Sequence, residues 1–155
     1  MQLKDIDVAG YETLIIDRDG TINVHILDGY VTRWEEFQFL PGAVDAIARF
    51  ARTAKHIFVV TNQRGISKGL YTEADLNYIH EQMVKAIEAA GGHIDGIYWC
   101  SGPEGDTRRK PAPGMFHDIC SDFPDVDPET TVMIGDGDVD RDFAENCKID
   151  FIRID

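Results

Sequence analysis

A chain of 155 residues, 43% hydrophobic and 28% charged, is long enough to bury one sizeable core and has neither a disordered nor a fibrous composition. Its net charge of −13 opposes a broad nucleic-acid surface, since a phosphate backbone needs a positive footprint, but a small anion needs only a local positive pocket. Cys100, Cys120 and Cys147 form no disulfide framework or zinc pair, MQLKDIDVAG is not a signal peptide, and no apolar run spans a bilayer, so a cytoplasmic protein without a membrane partner is expected.

In chain order, TLIID (13–17) reads as a buried strand. PGAVDAIARFARTA (41–54) reads as a helix, with Pro41 at its first position and a stripe of Val44, Ile47, Ala48 and Ala51. HIFVVTN (56–62) is a second buried strand. Thr72 then caps a helix whose stripe is Leu76, Ile79, Met83 and Ile87 and which stops at Gly91. DGIYWC (95–100) is a third strand, PGMFHDICSDF (113–123) a short helix, TVMIGD (131–136) a fourth strand, DVDRDFAENC (138–147) a helix and DFIRI (150–154) a last strand. Strands alternating with helices of this size predict a three-layer α/β fold: a mostly parallel sheet with helices on both faces. Ligands of such sheets bind beyond the carboxyl ends of the strands, so the polar residues that follow each strand are predicted to converge.

Those residues are Asp17 and Asp19 after the first strand and Thr61, Asn62 and Gln63 at the second. After the third comes SGPEGDTRRKPAPG with Arg108, Arg109 and Lys110, and after the fourth Asp136, Asp138 and Asp140. Each piece has an ordinary reading, as an Asp-Gly turn, a helix cap or a solvated charge run. Together, at successive strand ends, they fit phosphoryl transfer through a covalent intermediate. A carboxylate can attack phosphorus. Several carboxylates in one place call for a hard divalent cation such as Mg²⁺, and a lysine or arginine can stabilise charge on the transferring oxygens. On this reading Asp17 attacks, while Asp19 protonates the leaving oxygen and later activates water. The two jobs need opposite protonation states, so the neighbours must push the two pKa values apart.

These residues resemble the four motifs of the haloacid dehalogenase superfamily of phosphatases: DRDGT (17–21), TN (61–62), the lysine of RRKP (Lys110) and GDGDVD (135–140). DRDGTIN, DGYV, VVTNQRGISKGLYTEADL, DGIYWC and RKPAPGM look like its heptose-bisphosphate and histidinol-phosphate phosphatase branch, for which Arg18 and TNQ-x-GI are the more specific signs.

The resemblance implies a single phosphatase domain over residues 1–155, without a large cap, and an open site shaped by the loops that hold Tyr30, Trp34, Arg64, Lys68 and Arg109. It makes Asp17 nucleophile and metal ligand, Asp19 acid/base and a metal ligand through its backbone carbonyl, and Asp136 the remaining metal ligand. Asp140 acts from behind them, and Asp138 takes no assigned role. Thr61 and Lys110 join the catalytic group, with Lys110 bridging phosphate and nucleophile. Arg18, Gly20, Asn62, Gln63, Arg64 and Arg109 are the expected substrate contacts. Many members of the branch carry a zinc loop of three cysteines and a histidine after the third strand. Here only Cys100 stands in that region, so Mg²⁺ and no zinc is expected. Trp34 is expected to pack rather than bind, and His25 to be a loop residue. The expected partner is a small phosphorylated metabolite, a sugar or polyol phosphate, with no nucleic acid, met by a monomer or weak dimer. The alternatives are a polynucleotide 3′-phosphatase, which the acidic balance disfavours, and a phosphate-sensing module without turnover, which the completeness of the motif set disfavours.

Overall fold

The computed structural model describes residues 1–155. The strands are β1 (Thr13–Asp17), β2 (His56–Asn62), β3 (Gly96–Cys100), β4 (Thr131–Gly135) and β5 (Asp150–Arg153). All pair in parallel in the order β3-β2-β1-β4-β5. The central β1 is buried along its whole length, which is why TLIID is continuously apolar up to its final aspartate.

Alternate residues of the central strands feed two cores. Leu14, Ile16, Ile57, Val59, Val132 and Ile134 face the helices α1 (Ala43–Phe50) and α2 (Glu73–Ala89). Ile15, Phe58, Val60 and Met133 face α3 (Gly114–Asp122) and α4 (Asp138–Cys147) on the other side. The three-layer expectation holds.

The helix expected over 41–54 is shorter, because Gly42 and not Pro41 precedes it, in a left-handed conformation (φ 74°), and the chain turns away after Phe50. Its buried face is Ala43, Ala46, Ile47 and Phe50, rotated from the expected stripe because the ring of Phe50 removes more apolar area from water than two alanines do. The α2 reading holds closely. Leu76, Ile79, Met83 and Ile87 are buried, and Thr72 forms a reciprocal capping box in which its side chain accepts from Asp75 N. His80 is buried on the same face.

Strand order fixes where the site must be. The chain steps outward from β1 through β2 to β3, then returns to the far side of β1 for β4 and β5. Connections leave β1 and β4 in opposite directions, so a crevice opens between their carboxyl ends. Residues 22–40 form no lid. They hold one short 3₁₀ turn, Trp34–Glu36, and Trp34 packs as expected, stacking on Phe37 (5.0 Å between centroids) and meeting Phe39 edge-on (6.3 Å).

Thr72 sets the first turn of α2 and thereby the register of its buried face. Thr72→Ala is expected to cost about 1 kcal/mol in urea denaturation while leaving turnover unchanged, because it removes an exposed cap that is no part of the cavity wall.

Candidate active site

The loop after β1 folds back on itself, with the N–H groups of Thr21 and Ile22 both donating to the carbonyl of Arg18. Gly20 sits at φ 88°, a conformation that glycine adopts without strain, and a Cβ there would stand 2.8 Å from Cγ of Asp136. The glycine of DRDGT thus makes room for the acid that arrives from the end of β4, rather than for substrate directly. Gly135 does the same for Asp140, whose Cβ would lie 2.6 Å from any Cβ added to the glycine.

The side chains of Asp17, Asp19, Thr61, Asn62, Lys110, Asp136 and Asp140 all line one cavity of about 300 Å³ at this crevice. Lys110, in the loop after β3, is buried, and its ammonium donates to Oδ1 of Asp17 and Oδ1 of Asp140, both at 2.7 Å, and to the carbonyl of Val60 at 3.2 Å. All three of its donors are used. Burial works against its charge, but Asp17 and Asp140 outweigh this and raise its pKa. Asn62 holds the lysine in place: its amide donates to the Lys110 carbonyl (3.1 Å) and accepts from the Lys110 N–H (3.0 Å). Both ends of that amide, expected on substrate, are occupied by the backbone of Lys110.

Asp17, Asp136 and Asp140 each offer an oxygen within 4.8 Å of the others. Asp140, expected behind the metal ligands, is therefore part of the acid group itself, while one of its oxygens takes Lys110. Asp138 lies outside it, paired with Arg153 and Arg141.

Asp19 is held differently. Its carboxylate accepts from Arg18 Nη2 (2.8 Å) and Nε (3.2 Å), Asn23 Nδ2 (2.9 Å) and Gln63 Nε2 (3.1 Å). Its carboxylate is taken up by these donors, and it lines the cavity without being one of the three-acid group.

The two carboxyls of DRD are indeed pushed apart, but in the opposite sense to that required by attack from Asp17 and protonation by Asp19. Burial pushes Asp17 well above the usual carboxylate range, Lys110 pulls it back, and Asp140 and Asp136 add to the rise. Burial also pushes Asp19 up, yet the charge of Arg18 and the bonds from Asn23, Arg18 and Gln63 more than offset it, so Asp19 lies below the usual range. Burial acts on both, and the difference lies in the compensating charge: at Asp17 one ammonium is shared with other carboxylates, whereas Asp19 has a guanidinium to itself. Such an acid group ionises together around a hard divalent ion, and Mg²⁺, which takes oxygen ligands and keeps several waters, fits Asp17, Asp136 and Asp140.

Four expected substrate contacts lie elsewhere. Arg18 is wholly buried, turned from the cavity onto Asp19 and His80, because a charge removed from water must be paired inside. Gln63 is buried behind Asp19, where its amide donates to Thr61 Oγ1 (2.9 Å) and its carbonyl accepts from Tyr71. Arg64 and Arg109 donate to the carbonyls of Ser101 and Gly102, both at 3.3 Å, and Cys100 Sγ accepts from Gly102 N–H (3.3 Å). The two arginines thus brace the loop after β3, and neither reaches the cavity wall. Lys68, expected near the site, donates to the Tyr30 hydroxyl at 3.1 Å.

The cavity walls also include His25, Ile26, Tyr30, Val31 and Val139. Of these, sequence reasoning singled out Tyr30 as shaping the site. Asn23, Tyr71 and His80 were missed as members of the Asp19 network. A histidine beside Ile79 on the buried face of α2 was the available signal.

Fold and site together define a phosphatase of the haloacid dehalogenase type. Comparison with known proteins narrows this. A family profile described as polynucleotide kinase 3 phosphatase matches residues 12–155. The D-glycero-alpha-D-manno-heptose-1,7-bisphosphate 7-phosphatase of Mycobacterium tuberculosis is 36% identical over 143 residues, covering 89% of this chain and 74% of its own length. The D-glycero-beta-D-manno-heptose-1,7-bisphosphate 7-phosphatase of Bordetella bronchiseptica is 40% identical over 125 residues, 79% of this chain and 69% of its own. A crystal structure of D,D-heptose 1,7-bisphosphate phosphatase from B. bronchiseptica, complexed with magnesium and phosphate, superposes with a TM-score of 0.84 at 37% identity, over 90% of this chain and 78% of that one. The chain belongs to the heptose-bisphosphate phosphatase family of the haloacid dehalogenase superfamily. It is a phosphomonoesterase that uses Mg²⁺ and acts on a small phosphorylated metabolite.

The charge imbalance at the acid group yields a test without turnover. Mg²⁺ is expected to raise the melting temperature, with a gain of about 2.7 kcal/mol at a hundredfold excess over Kd. Asp136→Asn is expected to shrink that gain, and in EDTA to be no less stable than the wild type, because it removes a like charge from beside Asp17.

Proposed function

We propose that this chain hydrolyses a phosphate ester of a heptose bisphosphate or a closely related sugar or polyol phosphate, through a phosphoryl group carried on Asp17. One observation carries the reading. A single buried ammonium, 2.7 Å from both Asp17 and Asp140, stands at the mouth of the β1/β4 crevice, among the residues of all four motifs.

Asp17 supplies the attacking oxygen, aimed by its contact with Lys110 and by the hydroxyl of Thr21 at 3.4 Å. Asp17, Asp136 and Asp140, with the backbone of Asp19, would hold Mg²⁺, which when bound would supply positive charge against Asp17 and the incoming phosphate. Thr61 would meet the phosphate oxygens, and Lys110 would reach them by exchanging one of its present acceptors for the phosphate. Asp19, whose side chain is 25% exposed, reaches the cavity and exchanges the proton with the leaving oxygen and then with water. The dianionic ester brought beside it raises its pKa toward the protonated form that this requires. Ile26, Tyr30, Val31 and Val139 offer the carbon skeleton a largely apolar wall.

All three cysteines are free, which suits a reducing cytosol, and no helix is long and apolar enough to cross a membrane. We read residues 1–155 as one phosphatase domain that works as a monomer or weak dimer. The family profile favours a second reading, a polynucleotide 3′-phosphatase. Against it stands the net charge of −13, which opposes the positive footprint a polynucleotide backbone needs.

Purified protein with Mg²⁺ is expected to release phosphate from heptose 1,7-bisphosphate faster than from a 3′-phosphorylated oligonucleotide, and to stop in EDTA. Asp17→Asn is expected to reduce turnover by roughly 10³-fold or more. Faster release from the oligonucleotide would favour the second reading. Equal release by wild type and Asp17→Asn would instead make the chain a phosphate sensor.

A further inference from the structure

We propose that His80, a residue of α2 that lies off the cavity wall, is a positioning residue for proton transfer: through Arg18 it fixes the direction in which the carboxylate of Asp19 faces the leaving oxygen. This rests on the reading of Asp19 as the acid/base.

The geometry is a chain of three side chains. His80 is 6% exposed, and its Nε2 lies 3.1 Å from Nη1 of Arg18. The guanidinium is wholly buried, over the ring of Phe37 (5.8 Å), and turns its Nε and Nη2 edge onto Oδ1 of Asp19. Because both nitrogens meet the single atom Oδ1, the guanidinium can still swing about that contact, and His80 at Nη1 anchors its other end. Because Nη1 can only donate, His80 must accept there, and the imidazole must be neutral at that nitrogen. Burial and the adjacent Arg18 charge hold its pKa down at about 3, Asp19 pulling the other way, so the acceptor form persists across the working pH range.

His80 gives Nη1 of the buried Arg18 an acceptor, and so holds the guanidinium in the orientation in which it meets Asp19. A phenylalanine or leucine would fill the same helix face beside Ile79 without burying a polar group. The polar choice matters for the reaction in a specific way. As the ester P–O bond breaks, the leaving oxygen takes the proton from Asp19, and in the second half Asp19 takes one from the attacking water. Alignment of that carboxyl matters greatly for an alkoxide and little for a nitrophenolate, which leaves without a proton.

The test compares kcat/KM on two monoesters, p-nitrophenyl phosphate and heptose 1,7-bisphosphate, in the full chain with Mg²⁺. Asp19→Asn is expected to lose about 10²-fold or more on the alkyl ester and far less on the aryl ester. His80→Leu is expected to follow the same pattern at about tenfold, with unchanged binding of inorganic phosphate, and His80→Gln, which keeps an acceptor, to recover most of the loss. If His80→Leu does not fold, Arg18→Lys replaces it, since a single ammonium cannot span Asp19 and His80, and it is expected to show the same alkyl-selective loss. Equal losses on both esters in the His80 or Arg18 variant, or no loss, would overturn the inference while Asp19→Asn remains alkyl-selective. Equal losses in Asp19→Asn would instead overturn the acid/base reading beneath it.

Discussion

A single buried ammonium holds the catalytic end of this molecule together. Lys110 is the one positive side chain paired with Asp17 and Asp140, and it makes that contact from a loop that begins at the far edge of the sheet, after β3. Taking such a group out of water is unfavourable unless every donor finds an acceptor, and here all three do. The requirement runs in both directions. Asp17 and Asp140 keep the lysine charged, and the lysine in turn draws two acids from distant parts of the chain to within 2.7 Å of one atom.

Two glycines and an asparagine make that convergence possible. Gly20 and Gly135 leave the space that Asp136 and Asp140 fill, and Asn62 locks the backbone of Lys110 against the end of β2. Positions that look in sequence like contacts for a substrate are in part contacts among the catalytic residues themselves. Arg18 and Gln63 extend the same principle behind Asp19, with His80 and Tyr71 as their outer partners. The opening of the site is left to the apolar side chains of the loop after β1 and to Val139.

Strand positions were legible because both core faces are filled by alternate residues of uninterrupted apolar runs such as TLIID and HIFVVTN, and the site lay where strand ends in a parallel sheet must place it. The ends of α1 were not, because Gly42 with its positive φ, and not Pro41, governs the start, and because one phenylalanine decides which face is buried. Directions of side chains were least legible. RDG says that Arg18 is next to two acids. It does not say that the guanidinium turns inward, because its partner His80 comes 62 residues later on a helix. The same holds for Arg64 and Arg109, whose partners are carbonyls of a loop that has no sequence signature. Asp140 looked remote in the linear motif because it lies in the first turn of α4 while Asp136 precedes the helix, and that turn brings it back against Gly135 at the end of β4.

Turnover on this arrangement requires Asp17 to carry the phosphoryl group beside an ion shared with Asp136. A crystal structure grown with Mg²⁺ and beryllofluoride tests this most directly. It should contain a trifluoroberyllate bonded to an Oδ atom of Asp17, with Lys110 against its fluorines and the metal between Asp17 and Asp136. A bare Asp17, with Asp136 and Asp140 turned outward from it and the ion bound elsewhere, would contradict it.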